Sequence, residues 1–354
     1  MFAYVGGYTT PDRDGRGKGI NVYRIDPATG AWSHLQHIGG LENPSLFTLR
    51  RDTSRVYSVH GGRTQVTAFA RDASTGRLTL LNQLDGGGTN PVDAALDPEE
   101  RHLIVGNYGS GSVAVMKLDA DGRLLPVSQS LTLAGSPGPD PEQQAASHPH
   151  AVVPDPSGRF VVVPDKGFDR TFVFRVSAGR IAPTAQGSVP SRAGAAPRHA
   201  AFHPALPVLY VNNELDSTVA VFGWDATTGA IEEHQVVSTI PNGFAGRNTT
   251  AEIAASPDGR FLYVSNRGED SVVQFSIGAS TGALTYVATT PTGGAKPRFF
   301  TLDPSGASLF AANQDSDDIT WFGLDSASGR LVPRGVVARV GSPSAISLVP
   351  ESAT

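Results

Sequence analysis

"APRHAAFHPALPVLYVNNELDSTVAVFGWDATTGAI", residues 196–231, opens a unit of four short runs rich in Val, Leu, Phe and Tyr, separated by Pro, Asn, Asp and Gly. Apolar runs of this length bounded by turn residues read as strands, and four in succession read as an antiparallel meander. The pattern returns along the chain. "NPSLFTLRRDTSRVYSVHGGRTQVTAFARDASTGRL" begins at Asn43, and "NPVDAALDPEERHLIVGNYGSGSVAVMKLDADGRL" begins at Asn90. Further copies begin at His148, Thr249 and Lys296. The seventh is divided between the two ends: "SPSAISLVP" at 342–350 supplies its first strand, and "FAYVGGYT", "GINVYRID" and "WSHLQHI" supply the rest from residues 2–38.

Each unit spells the turn between its third and fourth strands with a glycine: Gly30, Gly76, Gly122, Gly179, Gly229, Gly282 and Gly329. Glycine suits such hairpins because it takes positive φ without a steric penalty. A repeat of about 47 residues is in the range of propeller blades, which bury their faces only by stacking around an axis. The expected fold is therefore all-β: a seven-bladed β-propeller, four antiparallel strands per blade, one domain over residues 1–354, with the ring closed by the blade that both termini share. A stacked β-solenoid, the competing architecture, gives no reason for the two ends to complete one another.

Composition narrows the partners. The net charge is −5, the pI about 6.0, and no Lys/Arg run occurs, which argues against nucleic acid or an anionic membrane and leaves room for a small anionic ligand held by a local cluster. With no cysteine, neither disulfides nor thiolate metal sites hold the fold, and a reducing compartment suits it. The start "MFAYVGGYTT" lacks the basic and long apolar segments of a signal peptide, and no apolar run approaches the roughly 18 residues of a membrane helix. The expectation is a cytoplasmic monomer or weak homo-oligomer acting on a small anionic ligand.

In a propeller the blade-to-blade connections and the second-to-third turns share one face, and two columns of residues point there. The column at the end of the second strands reads Tyr8, Gly61, Tyr108, Lys166, Glu214, Arg267, Gln314; the column opening the innermost strands reads Ser45, Val92, His150, Arg198, Ala251, Arg298, Ser344. Glu214 is the single acid in either, and cations flank it. Consecutive blades thus aim His150, Lys166, Arg198, Glu214, Arg267 and Arg298 at one mouth of the channel, with His199 and Glu252 one step along their strands and Tyr108 and Gln314 completing the rim. Longer connections before His150 and before Ala251 fall on the same face, where insertions build pocket walls.

Other motifs read as structure. His148 and His150 form His-x-His, but no third ligand is supplied and neighbouring arginines repel a cation. "NQDSDDIT" at 313–320 lacks the glycine and terminal Glu of a calcium loop. "GASTG" at 278–282 matches the G-x-S-x-G hydrolase pattern, yet its siblings "DASTG", "DATTG" and "DSASG" mark it as the repeated hairpin, so Ser280 is structural. No metal or organic cofactor is expected. A charged network of this kind is also found as plain interblade ion pairing.

At "HPH", "PRH", "NELDS", "SNRG" and "ANQDSD" the chain resembles the seven-bladed propeller lactonases, the family of bacterial 6-phosphogluconolactonase and fungal carboxymuconate cycloisomerase, and the resemblance covers essentially the whole chain. It implies a metal-independent enzyme with its site at the channel mouth, using a His, two Arg and a Glu that fall on His150, Arg198, Arg267 and Glu214. The chain departs from the family pattern at Pro149, Ala254 and Glu269, where Ala, His and His are usual, and at Lys166, where leucine is usual.

Three functions follow. The first is hydrolysis of a sugar δ-lactone, 6-phosphogluconolactone foremost, in which Arg198, Arg267 and Lys166 hold the anionic group, Glu214 acts as general base toward water, and His150 donates to the oxyanion or the leaving oxygen. The second is cycloisomerisation of a carboxymuconate, which needs the same anion clamp. The third is a non-enzymatic interaction platform, since fold does not fix function; a calcium-dependent six-bladed gluconolactonase is disfavoured by the count of seven repeats.

Overall fold

The second strands show how the sequence builds the ring. Phe160–Asp165 (FVVVPD) and Val208–Asn213 (VLYVNN) are buried along their whole length, which requires cover on both faces. The outermost strands, such as Leu124–Thr132, alternate instead between packed and exposed residues, as a strand with one wet face must. In the computed structural model, which describes residues 1–26 and 29–351, the strands form seven antiparallel four-stranded sheets. Blade 1 combines Pro343–Val349, Phe2–Gly7, Ile20–Ile25 and Trp32–Ile38. Blades 2 to 7 occupy residues 44–85, 91–132, 153–190, 197–238, 249–291 and 297–339 in order.

The termini meet as the split repeat requires. Pro343–Val349 pairs antiparallel with Phe2–Gly7, placing Phe2 opposite Val349 and Val5 opposite Ile346. The period of two in each strand then divides the core. Phe2 and Tyr4 pack with Phe47, Val56 and Phe69 of blade 2, while Ala3 and Val5 pack with Phe310 and Ile319 of blade 7. The same division between neighbours recurs around the ring, so the hydrophobic core lies between blades, and every blade depends on two others.

Two polar devices fix the spacing of the blades. Tyr4, Tyr57, Tyr210 and Tyr263 each donate a hydroxyl hydrogen bond to the hairpin glycine of the following blade, Gly76, Gly122, Gly282 and Gly329, at 2.6–3.0 Å. All seven hairpin glycines have φ between 66° and 78°, and the space a Cβ would enter is filled by the neighbouring blade, as where Val208 lies 2.7 Å from that point on Gly282. On the outer rim, side-chain amides join adjacent outermost strands: Gln186 bonds both N–H and C=O of Ile231 at 2.9 Å, and Gln235 does the same to Leu284.

The innermost strands surround the axis and open with a bulge. Pro44, Pro91, Pro197 and Pro297 each pair with the end of the second strand, and the register then skips Ser45, Val92, Arg198 and Arg298. A bulged residue is turned out of the ladder and re-aimed, and proline, lacking an N–H, tolerates the break. Blade 4 departs further. Its innermost strand is only Val153–Pro154, and His150 lies ahead of it rather than opening it. Asp93 of blade 3 accepts from Val152 N at 2.7 Å, and His150 N donates to Pro164 O at 2.9 Å, so the irregular segment keeps its backbone partners.

Candidate active site

Glu214 follows Val208–Asn213 directly, and its backbone is gripped from two blades: its N–H donates to Ala196 O at 2.7 Å and its carbonyl accepts from Thr250 N at 3.1 Å. Its carboxylate reaches three cations. Oε1 lies 2.7 Å from Lys166 Nζ and 3.3 Å from Arg267 Nη2, and Oε2 lies 3.0 Å from Arg198 Nε. Each cation is held from behind, Lys166 by Gln143 Oε1 at 2.7 Å, Arg267 by Thr250 O at 2.8 Å, and Arg198 by Ala251 O.

None of these four side chains is more than 10% exposed. Burial alone would raise the Glu214 pKa, but Arg267, Lys166 and Arg198 outweigh it and hold the carboxyl well below the usual range. Burial, aided by Arg267 and Arg298, lowers Arg198 to about 9, which leaves it charged at neutral pH.

His150 stands beside this cluster and shares none of its bonds. It lines the cavity, its Nδ1 is buried without a partner, and burial followed by Arg198 and His199 holds its imidazole well below the usual range, hence neutral. Aromatic rings position it: Tyr108 meets it edge-on with centroids 5.5 Å apart, and Tyr108 is itself stacked on His148 at 4.3 Å and 9°. His199, 5.2 Å from the His150 ring, bonds Glu252 Oε1 through Nδ1 at 3.0 Å.

The cavity at this mouth measures about 160 Å³ and is walled by Tyr8, Tyr108, His150, Lys166, Glu214, Arg267 and Arg298 together with Arg13, Asn90 and Val92. A hollow of about 20 Å³ deeper in the channel touches His150, Arg198, His199 and Arg298. Larger hollows of about 570 Å³ lie elsewhere, but neither holds a comparable group of bonded charges.

The two columns therefore supply most of the walls. Glu252 stands behind His199 and lines neither hollow, and Gln314 lies outside both, its backbone carbonyl taken by Arg16 Nη2 at 2.7 Å. Glu269 also stays away from the cavity, bonded to Ser271 Oγ and Asn248. Sequence reasoning missed Arg13 and Gln143. The signal for Arg13 is the length of residues 8–19, where the corresponding turn of blade 5 takes only 214–217; Gln143 sits in the long connection before His150.

Among the described residues no three His, Cys, Asp or Glu side chains gather as metal ligands, and no helix is long and apolar enough to cross a membrane.

The family described as lactonase, 7-bladed beta-propeller, matches residues 2–348. The chain belongs to this family. It is 33% identical to the 6-phosphogluconolactonase of Bacillus subtilis over 305 residues, 85% of either chain. Its fold superposes on the periplasmic gluconolactonase PpgL of Pseudomonas aeruginosa with a TM-score of 0.91 at 32% identity, covering 99% of both chains. A putative 6-phosphogluconolactonase from Bacteroides fragilis gives a TM-score of 0.90 at 30% identity over 99% of this chain and 98% of that one.

Proposed function

We propose that this protein is a lactone hydrolase of the cytoplasm that opens a sugar δ-lactone, 6-phosphogluconolactone foremost. The observation that carries the reading is the juxtaposition, in one small cation-rich cavity, of a carboxylate locked by three cations and a buried neutral histidine whose imidazole has no hydrogen-bond partner among the described residues. The names of the Bacillus and Pseudomonas relatives point the same way.

Geometry favours an exchange of the roles first assigned to Glu214 and His150. A carboxylate spending both oxygens on Lys166, Arg198 and Arg267 is a poor proton acceptor, whereas the unbonded imidazole of His150 is an available one. Water held by His150 attacks the ring carbonyl, and the imidazole takes the proton. The tetrahedral oxyanion is stabilised by Arg267 and Arg198, which Glu214 holds in place before the reaction begins. Collapse breaks the bond from the carbonyl carbon to the ring oxygen, and the imidazolium returns its proton to that oxygen, leaving a hydroxyl and a carboxylic acid, which ionises to the carboxylate and releases one proton to solvent. Tyr108 and Tyr8 offer apolar ring surface to the sugar. Such lactones are already electrophilic, so general-base assistance of about 10²–10⁴-fold joined to orientation is an adequate scale.

The test is ring opening of 6-phosphogluconolactone, followed by proton release, with purified wild type and with His150→Asn. Acceleration over buffer by wild type and its loss in the variant supports the reading; equal rates for both would remove His150 from it.

A further inference from the structure

Of the four cations lining the cavity of about 160 Å³, Lys166 and Arg267 are committed to Glu214, which leaves Arg13 and Arg298. Neither guanidinium forms a hydrogen bond or ion pair with any described residue; both lie against one aromatic ring, Tyr8, with Cζ 5.6 Å and 5.2 Å from its centroid. Tyr8 itself is buried. Asp12, its neighbour in the chain, is engaged by Arg63 at 3.1 Å. Two unpaired guanidiniums braced on a common ring at the rim of a cavity repel one another until an anion lies between them.

The segment carrying Arg13 is built to hold it there. The fully buried Asn43 accepts through Oδ1 from the backbone N–H groups of Thr9 and Thr10 at 2.8 and 3.1 Å, and its amide donates to Thr10 Oγ1 and Gly61 O at 2.8 Å. Pro11–Arg13 forms a short 3-10 turn closed by Asp14 at φ 49°, and Gly17 N returns to Tyr8 O at 2.8 Å. Arg16 ties the far side of the segment to Asp317 at 2.8 Å. A side chain fixed by its loop before binding loses less freedom on meeting a ligand. Arg298 is placed by the bulge at the head of its strand.

We infer that Arg13 and Arg298, braced on Tyr8, form the subsite for the phosphate group of a phosphorylated sugar lactone. The inference rests on the lactone-hydrolase reading for the rest of the substrate. Guanidinium forks match the paired oxygens of a phosphate, and two of them suit its double charge. The arrangement also separates two roles: Lys166, Arg198 and Arg267 serve the reacting end through Glu214, and Arg13 with Arg298 serve the distal end. An unphosphorylated lactone would leave the second pair idle.

Kinetics with 6-phosphogluconolactone and with glucono-δ-lactone tests this directly. In Arg13→Met and Arg298→Met the ratio of kcat/KM for the phosphorylated over the unphosphorylated lactone should fall ten- to a hundredfold, mainly through KM, and Arg13→Lys should restore part of it. Equal losses on both lactones, or a wild type that does not discriminate between them, overturns the subsite while leaving lactone hydrolysis standing. Calorimetric binding of 6-phosphogluconate, compared with gluconate, decides the matter even if neither lactone is opened. A tenfold or greater loss of 6-phosphogluconate affinity in the two variants, with unchanged melting temperatures, supports the subsite, and undiminished affinity refutes it.

Discussion

Lys166 Nζ lies 2.7 Å from Glu214 Oε1, in a pair whose side chains are 5% and 8% exposed. The lysine comes from blade 4 and the glutamate from blade 5, so one ion pair spans the seam between repeats. Charges so deeply placed cost much desolvation, which is recovered only where the geometry is good and the remaining donors are satisfied. Arg198 and Arg267 complete that geometry, and the cluster binds blades 4, 5 and 6 at the channel mouth.

Removing the acid should therefore cost more than removing one cation. Glu214→Gln leaves three buried cations facing each other, and about 3–5 kcal/mol of stability should be lost. Lys166→Met leaves Glu214 with two arginines, and about 1–3 kcal/mol is expected. In the double variant the losses should fall short of additivity by about 0.5–3 kcal/mol. Urea denaturation midpoints measure all three; equal small losses in both single variants would show that the cluster is not a coupled unit.

The pH dependence of kcat/KM distinguishes the two candidate bases. Activity requires a neutral His150, and burial together with Arg198 and His199 lowers its pKa, so the imidazole stays competent as pH falls through 6.5. The acid limb should lie below 6.5 and disappear in His150→Gln along with most of the activity. A limb below the ordinary glutamate range of about 4.5 that survives this substitution would return the role to Glu214.

Much of this was legible in the sequence because repeats announce themselves. Seven hairpin glycines and the complementary ends dictated the ring, and the columns brought His150, Lys166, Arg198, Glu214, Arg267 and Arg298 to one mouth. What stayed hidden depended on side-chain direction. Gln314 occupies the same repeat position as Glu214, yet its side-chain amide donates to Asp315 at 3.4 Å, Arg16 takes its backbone carbonyl, and it lines neither hollow. Arg13 has no counterpart in other blades, so no column could contain it. The bonding of all three central cations to Glu214 is likewise a matter of distances.

The interblade tyrosine bond gives a prediction for the ring as a whole. Tyr210→Phe removes the hydroxyl that donates to Gly282 O at 2.9 Å and should cost about 1 kcal/mol. Gly282→Ala forces a Cβ to within 2.7 Å of Val208 Cγ2 at φ 69° and should cost about 1–3 kcal/mol. Thermal unfolding resolves both; an alanine variant as stable as wild type would contradict the close contact.

Closure by the split blade is tested by truncation. Ending the chain at Val340 removes Pro343–Val349, leaves Phe2–Gly7 paired on one side only, and uncovers the core around Tyr4, Val5 and Phe47. Such a chain should aggregate or lose cooperative unfolding, as an exposed apolar edge predicts. A soluble variant that unfolds cooperatively would show that the ring closes without Pro343–Val349.

The most direct measurement of the central claim is the initial rate of 6-phosphogluconolactone opening, recorded by proton release in buffer alone, with wild type, and with His150→Asn. The account predicts a clear acceleration by wild type and a fall of about 10²–10⁴-fold in the variant, with identical circular dichroism for the two proteins. A wild-type rate no greater than that of buffer would contradict it.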